Sequence, residues 1–273
     1  MQLGISTYTY GWAVGAPGKV PDHPLTELDL LERAKGFGLR LVQFGDNLPL
    51  HELPEERLQA LARQAKELGI SLELGARRLT PEHLHRYLGL AERLEAKVLR
   101  FVVEAPGYAP DLPEIISLLK EAVPVLEQKG LTLGLENHDR LKAREFAAIM
   151  EQVGSERVGI CLDSVNSMGA GEGLEQIVDT LAPYTINLHV KDFGIRRLPH
   201  LMGFQIDGRP AGKGMLQVPW LLEKLAPFHR CRTAILEQWV VPEDYLDKTI
   251  DNEKAWAEES IAYLQPFFAA VSC

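Results

Sequence analysis

The sequence predicts an α/β fold, specifically a (β/α)8 TIM barrel, and three observations lead to this prediction. Eight short apolar runs recur along the chain, a helical pattern follows each of them, and the chain has 273 residues. Division by eight gives about 34 residues per unit, which suits a barrel of roughly 250 residues. No linker, low-complexity tract or charge block divides the chain, so we expect one domain over residues 1–273.

The apolar runs predict buried parallel strands. Each run is short, apolar on both faces and mostly bounded by turn or polar residues, as is typical of strands that are covered on both sides. In chain order the predicted strands are Leu3–Tyr8, Leu39–Phe44, Ile70–Leu74, Val98–Val103, Leu131–Leu135, Val158–Leu162, Ile186–Val190 and Ala234–Leu236.

The segments between these strands carry helix start and stop signals. Thr26 with Asp29 forms a capping pattern, and Thr80-Pro81-Glu82 combines an N-cap, a first-turn proline and an acidic residue. Pro124 lies inside the fourth helix and is expected to kink it. The predicted helices are Thr26–Phe37, Pro54–Leu68, one starting at Thr80, Asp111–Lys129, Lys142–Val153, Glu172–Leu181, Val218–Ala226 and Glu243–Phe268.

An open doubly wound sheet would also alternate strands and helices, and it is the alternative architecture. That fold usually has fewer repeats and a glycine-rich phosphate loop after its first strand, whereas residues 6–10 here are Ser-Thr-Tyr-Thr-Tyr. The longest connection of the predicted barrel is Phe193–Gln217, which contains five glycines. Because connections of that length are commonly functional, we expect a mobile loop that excludes water from the site.

Composition and charge exclude several classes of protein. The chain is 46% hydrophobic and 25% charged, with a net charge of −9, so it offers no broad basic surface and we expect no nucleic-acid partner. Three scattered cysteines, Cys161, Cys231 and Cys273, form no disulfide framework. Neither a signal peptide nor an apolar run long enough to span a membrane is evident. We therefore expect a cytoplasmic protein without a membrane partner.

Four consecutive predicted strands each deliver a metal-type ligand at their carboxyl ends, where barrel enzymes place their reacting groups. These ligands are Glu136, Asp163, His189 and Glu237. Three carboxylates and one imidazole suit Mn²⁺ or Mg²⁺ and would accept Co²⁺ or Fe²⁺, whereas a structural zinc would require thiolates. Taken singly, each carboxylate is equally consistent with a solvated or helix-capping residue, and His189 with a hydrogen-bonded core histidine.

These residues also carry a resemblance to a known family. Leu-Glu136-Asn, Cys-Leu-Asp163, Leu-His189-Val-Lys191-Asp and Leu-Glu237 resemble the strand ends of xylose-isomerase-like barrels, in particular the branch with ketose 3-epimerases, hydroxypyruvate isomerase and inosose dehydratase. The resemblance implies that the four residues bind one divalent ion, commonly Mn²⁺, and that Glu136 and Glu237 are catalytic and exchange a proton with the sugar carbon. Segment 208–214 is similar to the glycine-rich loop that follows strand seven in that family.

Other residues are candidates for binding the substrate. Lys191 and His138 each lie two residues beyond a predicted ligand and so share its face of the strand. Asn166 stands where the 3-epimerases carry a histidine, while the sequence Asn137-His138-Asp139 is closer to the inositol dehydratases. Among the basic residues of the long connection, Arg209 is the candidate for contacting the substrate. Further candidates by position alone are Arg77, Arg78, Asp46 and Asn47, with an aromatic wall from Tyr8, Tyr10, Trp12, Phe44 and Trp239.

The sequence thus leads to the hypothesis of a divalent-metal-dependent sugar isomerase or epimerase. A ketose or related hydroxy-ketone would be its partner, a glutamate would remove the proton next to the carbonyl, and an enediolate would form. The main alternative is a metal-dependent dehydratase of the inosose or dehydroshikimate type. An abasic-site endonuclease would need more histidine ligands and a basic groove, and a non-catalytic barrel would not need four metal-type ligands. A homo-oligomeric state is left open.

Overall fold

The computed structural model describes residues 1–268, and these form a closed barrel of eight parallel strands surrounded by helices. The ring order is β1-β10-β7-β6-β5-β4-β3-β2, which confirms the predicted (β/α)8 barrel. The barrel strands are β1 (Gln2–Ser6), β2 (Leu41–Phe44), β3 (Ser71–Arg77), β4 (Val98–Val102), β5 (Thr132–Glu136), β6 (Val158–Asp163), β7 (Thr185–Val190) and β10 (Thr233–Leu236).

Helices follow the strands, and their ends use the predicted caps. The Thr26 hydroxyl accepts from Asp29 N at 3.2 Å, and the Thr80 hydroxyl accepts from His83 N at 3.2 Å. Pro124 lies inside α5, which continues beyond it. The α-helices are α1 (Gly11–Val14), α2 (Glu27–Gly36), α3 (Glu55–Leu68), α4 (Pro81–Arg93), α5 (Leu112–Lys129), α6 (Ala143–Val153), α7 (Leu174–Leu181), α8 (Val218–Leu225) and α9 (Leu246–Phe268). None of them is long and apolar enough to cross a membrane.

The first strand is shorter than predicted. Strand β1 ends at Ser6, and a 3₁₀ turn follows over Thr7–Tyr10. The turn forms because the Ser6 hydroxyl accepts from Tyr8 N at 3.0 Å, while Ser6 N donates to the Thr9 hydroxyl at 2.8 Å. These side-chain bonds satisfy backbone groups that a longer strand would have paired with β2 or β10.

The long connection after β7 contains two strands that the sequence did not predict. Strands β8 (Asp192–Arg197) and β9 (Phe204–Arg209) form an antiparallel hairpin that stands apart from the barrel sheet. The chain returns to the barrel around the buried Asp192 carboxylate, which accepts from Gly212 N at 2.9 Å and Gly214 N at 3.0 Å. These bonds hold the base of the hairpin against the barrel, and the mobile loop that excludes water stays a prediction.

Polar side chains fill part of the barrel interior. Glu73, in the middle of β3, is buried, and its carboxylate accepts from Gln43 Nε2 at 3.0 Å and Asn187 Nδ2 at 3.1 Å. Both partners are buried as well. Burial raises the pKa of Glu73 to about 7, because an ionised carboxylate loses its hydration there.

This shift predicts how stability depends on pH. The pKa of Glu73 is higher in the folded than in the unfolded chain. The contribution of this residue to the free energy of unfolding is therefore fully present at low pH and is lost as the pH rises toward 7. Between pH 5 and pH 8, the free energy of unfolding of the parent should fall, and that of Glu73→Gln should fall by about 2 kcal/mol less. Urea denaturation at each pH measures both values. Glu56→Gln, at an exposed position, is the control and should follow the parent curve. Parallel curves for parent and Glu73→Gln would contradict the assignment.

Candidate active site

The four residues that the sequence singled out lie in one buried cluster at the carboxyl end of the barrel. Glu136 and Asp163 end β5 and β6, His189 lies in β7 opposite Asp163, and Glu237 directly follows β10. From His189 Nδ1, the distances are 3.3 Å to Glu237 Oε1, 3.8 Å to Glu136 Oε2 and 3.8 Å to Asp163 Oδ2. The parallel register therefore places the three carboxylates around His189 Nδ1, and the ligand atoms of Asp163, His189 and Glu237 all lie within 4.8 Å of one another.

The tautomer of His189 follows from the hydrogen bonds beneath it. The Glu73 carboxylate accepts a hydrogen bond from the Gln43 NH₂ group, so the amide oxygen of Gln43 faces His189. Gln43 Oε1 lies 2.7 Å from His189 Nε2, so Nε2 carries the ring proton and donates it. Nδ1 is then the nitrogen with the free lone pair, and it faces the carboxylates of the cluster.

This arrangement fits a divalent cation. His189 Nδ1 is buried and has no hydrogen-bond partner among the described residues. Burial, together with the nearby Arg100, lowers the pKa of His189 well below its usual value, so the ring is neutral. A neutral nitrogen lone pair that faces three carboxylate oxygens is unfavourable by itself, but it matches the first coordination sphere of a metal with mixed oxygen and nitrogen ligands.

Lys191 and Asn166 border the cluster, close to the predicted ligands. Lys191 Nζ lies 2.8 Å from Asp163 Oδ2 and 3.0 Å from Glu237 Oε2. Although burial opposes its charge, these carboxylates raise the pKa of Lys191, so it remains an ammonium. Asn166 Nδ2 donates to Glu136 Oε1 at 2.7 Å, and its backbone N–H donates to Asp163 Oδ1 at 2.8 Å.

Arg100 is a part of this cluster that sequence reasoning missed. It lies in the middle of β4, its side chain is only 3% exposed, and its Nε forms an ion pair with Glu136 Oε2. Burial raises the pKa of Glu136 to about 7, and the guanidinium opposes that rise. A single charged residue within the apolar run Val98–Val103 was the available signal, because an unpaired arginine would not be buried there.

Two predicted substrate-binding residues lie outside the cluster. His138 is at the rim, where its Nδ1 lies 3.1 Å from Glu104 Oε1 and its Nε2 3.5 Å from Arg77 Nη2. Arg209 is at the end of β9, and its guanidinium donates to the carbonyl oxygen of Gly208 at 2.6 Å. Among the described residues it makes no hydrogen bond or ion pair with the four predicted ligands.

A cavity of about 650 Å³ opens beside the cluster. The predicted aromatic residues Tyr8, Trp12 and Trp239 line it together with small and aliphatic residues, and Asp46 and Glu253 add polar groups. The ring of Tyr8 lies 5.9 Å from the guanidinium carbon of Arg100, so the wall of this cavity lies next to one of the buried cations. An aromatic wall with a few polar groups is typical of sites for small polar ligands.

Comparison with known proteins identifies the family. Residues 31–267 match the sequence description of the xylose isomerase-like TIM barrels, and the chain belongs to this family. Among the curated proteins, it is 33% identical over 264 residues to 3-oxo-isoapionate decarboxylase of Pectobacterium atrosepticum, covering 97% of this chain and 95% of that protein. A second relative, the uncharacterized protein YihM of Escherichia coli, is 24% identical over 183 residues, which is 64% of this chain and 55% of that protein.

Solved structures show the same fold. A D-psicose 3-epimerase, crystallised in the presence of D-fructose, has a TM-score of 0.72 at 15% identity, covering 99% of this chain and 100% of that one. A xylose isomerase-like barrel from Mycobacterium smegmatis in complex with magnesium has a TM-score of 0.69 at 14% identity, with 96% and 97% covered. The IOLI protein, which binds a zinc atom, has a TM-score of 0.67 at 17% identity, with 96% and 99% covered.

The Gln43 contact predicts an effect on metal binding. We expect Gln43→Met to bind Mn²⁺ about 10–100-fold more weakly, because methionine cannot accept the His189 Nε2 proton and the tautomer is no longer fixed. Titration calorimetry of the metal-free protein measures this affinity. Gln59→Met, on the exposed face of α3, is the matched control. An unchanged affinity in Gln43→Met would exclude this role.

Proposed function

We propose that this chain is a divalent-metal-dependent enzyme that decarboxylates a 3-oxo sugar acid. One observation carries the proposal: two buried cations lie directly among the carboxylates of the cluster, Arg100 on Glu136 and Lys191 on Asp163 and Glu237. Loss of carbon dioxide from a 3-oxo acid removes no proton, so it requires a sink for electrons rather than a free base. The full-length relative that is a decarboxylase supports the same reaction class.

In this proposal, Glu136, Asp163, His189 and Glu237 hold the ion. A bound divalent ion would supply Lewis acidity to the substrate carbonyl. Mn²⁺ and Mg²⁺ both suit a set of three carboxylates and one imidazole. The fit rests on the free lone pair of His189 Nδ1 and its distances of 3.3–3.8 Å to the three carboxylates.

The side chains of this protein then have distinct tasks. As the bond between the carboxyl carbon and the neighbouring carbon breaks, its electron pair passes toward the carbonyl oxygen and an enolate forms. The Lys191 ammonium, held by Asp163 and Glu237, stabilises the negative charge that develops on this oxygen. After carbon dioxide leaves, a proton must be added to the carbon. Glu136, whose pKa of about 7 lets it hold a proton near neutral pH, would deliver this proton and become the carboxylate that pairs with Arg100. Asn166 orients Glu136 through its 2.7 Å hydrogen bond.

Isomerisation or epimerisation of a ketose is the second candidate, and the position of the two glutamates favours it. Glu136 ends β5 and Glu237 directly follows β10, and these strands are three places apart in the ring, so the two glutamates reach the cluster from different sides. Such a pair could remove a proton on one face and return it on the other. The same enediolate could instead lose a hydroxyl group, which would be the dehydratase reaction.

The metal assignment leads to a direct prediction. We expect Asp163→Ala and His189→Ala each to lose most of the bound Mn²⁺, since each removes one of four ligands. Metal analysis of the dialysed proteins by mass spectrometry gives the stoichiometry. Asp179→Ala, an exposed carboxylate paired with Lys224, is the control and should keep the metal of the parent. Full metal occupancy in both Asp163→Ala and His189→Ala would contradict the assignment of these residues as metal ligands.

The reaction assignment predicts the fate of carbon and hydrogen. With a 3-oxo sugar acid in deuterated water, the parent should release one carbon dioxide and place one deuterium on the product carbon, as mass spectrometry can show. Lys191→Met should reduce turnover about 10²–10³-fold, as for loss of one oxyanion donor, while Lys213→Met, an exposed control on the return from β9, should not.

A different pattern would favour the second candidate. Deuterium exchange into a neutral ketose, formation of its epimer and absence of carbon dioxide release from any 3-oxo acid would identify an epimerase. In that case Glu136→Gln and Glu237→Gln should each stop the exchange, because an amide cannot accept the proton.

A further inference from the structure

We infer that Arg77 is the residue that binds the carboxylate of the substrate. This inference rests on the proposed function, because it identifies where an acid substrate is held. Arg77 ends β3, two residues beyond Gly75 and four beyond Glu73, and alternation along the strand therefore directs it toward the barrel axis, as it does Glu73. It is 29% exposed, in contrast to Arg100 at 3%, so a ligand can reach it from the mouth of the barrel.

The guanidinium of Arg77 is held in place from one side only. Its Nε donates to Asp46 Oδ2 at 3.1 Å, and its Nη2 lies 3.5 Å from His138 Nε2. Neither contact uses Nη1, which makes no hydrogen bond to another described residue. A planar guanidinium that is fixed on one edge and free on another is well suited to bind a carboxylate.

Asp46 does not neutralise Arg77 by itself, because two arginines share it. Its other oxygen, Oδ1, accepts from Arg100 Nη1 at 3.0 Å. Burial raises the pKa of Asp46, but the two guanidiniums outweigh this effect and lower its pKa to about 2. The aspartate thus remains ionised and holds both cations at the edge of the cavity that it lines.

The charges around the cluster favour an anionic ligand. Four carboxylates, those of Glu136, Asp163, Glu237 and Asp46, face the three cations Arg77, Arg100 and Lys191. Lys191 and Arg100 each pair with two of these carboxylates, whereas Arg77 pairs, among the described residues, with Asp46 alone and shares it with Arg100. Arg77 therefore has the largest remaining capacity to bind an added carboxylate. Arg77 is also the most exposed of the three cations, so the carboxylate of a substrate can reach its guanidinium.

The inference can be tested by binding, without turnover. The probes are D-gluconate and sorbitol, which share a six-carbon chain with hydroxyl groups on carbons 2 to 6. They differ at carbon 1, which is a carboxylate in gluconate and a neutral alcohol in sorbitol. Each is titrated calorimetrically into the Mg²⁺-loaded protein. We expect the parent to bind gluconate at least 10-fold more tightly than sorbitol, and Arg77→Gln to lose this preference with sorbitol affinity unchanged. Arg77→Lys should fall in between, because it keeps the charge and loses the planar fork. The melting temperature and metal content of each variant report any general damage.

Arg78→Gln is the matched control, since Arg78 is the next residue, is exposed and stacks on Tyr108 instead of facing Asp46. It should bind gluconate like the parent. With the true substrate, Arg77→Gln should raise KM far more than it lowers kcat. Equal affinity of the parent and Arg77→Gln for gluconate would overturn the inference even if carbon dioxide is released. If the gluconate preference depends on Arg77 but no acid is decarboxylated, the binding role stands and the proposed reaction fails.

Discussion

The structure depends on the burial of three carboxylates and a neutral imidazole at one point, the carboxyl end of the barrel. Isolated anions in such a place would be strongly unfavourable, so the surrounding side chains must compensate for them. Arg100 does so from below by pairing with Glu136, and Lys191 does so from the side by pairing with Asp163 and Glu237. The site is thus a balance of buried charges that one divalent ion would complete.

The layer beneath the site keeps this balance in one geometry. Glu73, Gln43 and Asn187 form a hydrogen-bonded set inside the barrel, and Gln43 passes its orientation to His189. A wholly apolar barrel core would lack the Gln43 oxygen that accepts the His189 Nε2 proton, so neither tautomer of the imidazole would be fixed. The polar interior therefore serves the site above it.

The rim of the barrel combines charged and aromatic side chains. Asp46 links the buried Arg100 to the more exposed Arg77, so the charge of the interior extends to the mouth of the cavity. On the opposite side, the β8–β9 hairpin is anchored by Asp192 next to Trp239, whose Nε1 donates to the Asp192 carbonyl oxygen at 3.3 Å. The mouth of the barrel therefore has charged side chains on one side and an aromatic side chain on the other.

The sequence by itself determined the barrel and its four candidate ligands. The eightfold alternation of apolar runs and helices is a local pattern, and Glu136, Asp163, His189 and Glu237 each follow an apolar stretch, so both can be recognised along the chain. Only the tertiary structure decided which charges pair, because Arg100 and Asp46 are 54 residues apart and belong to β4 and to the end of β2, which β3 separates in the ring. The hairpin over β8 and β9 was likewise hidden, since its glycines resemble those of a loop. Contacts between distant residues depend on strand order and register, which no local pattern contains.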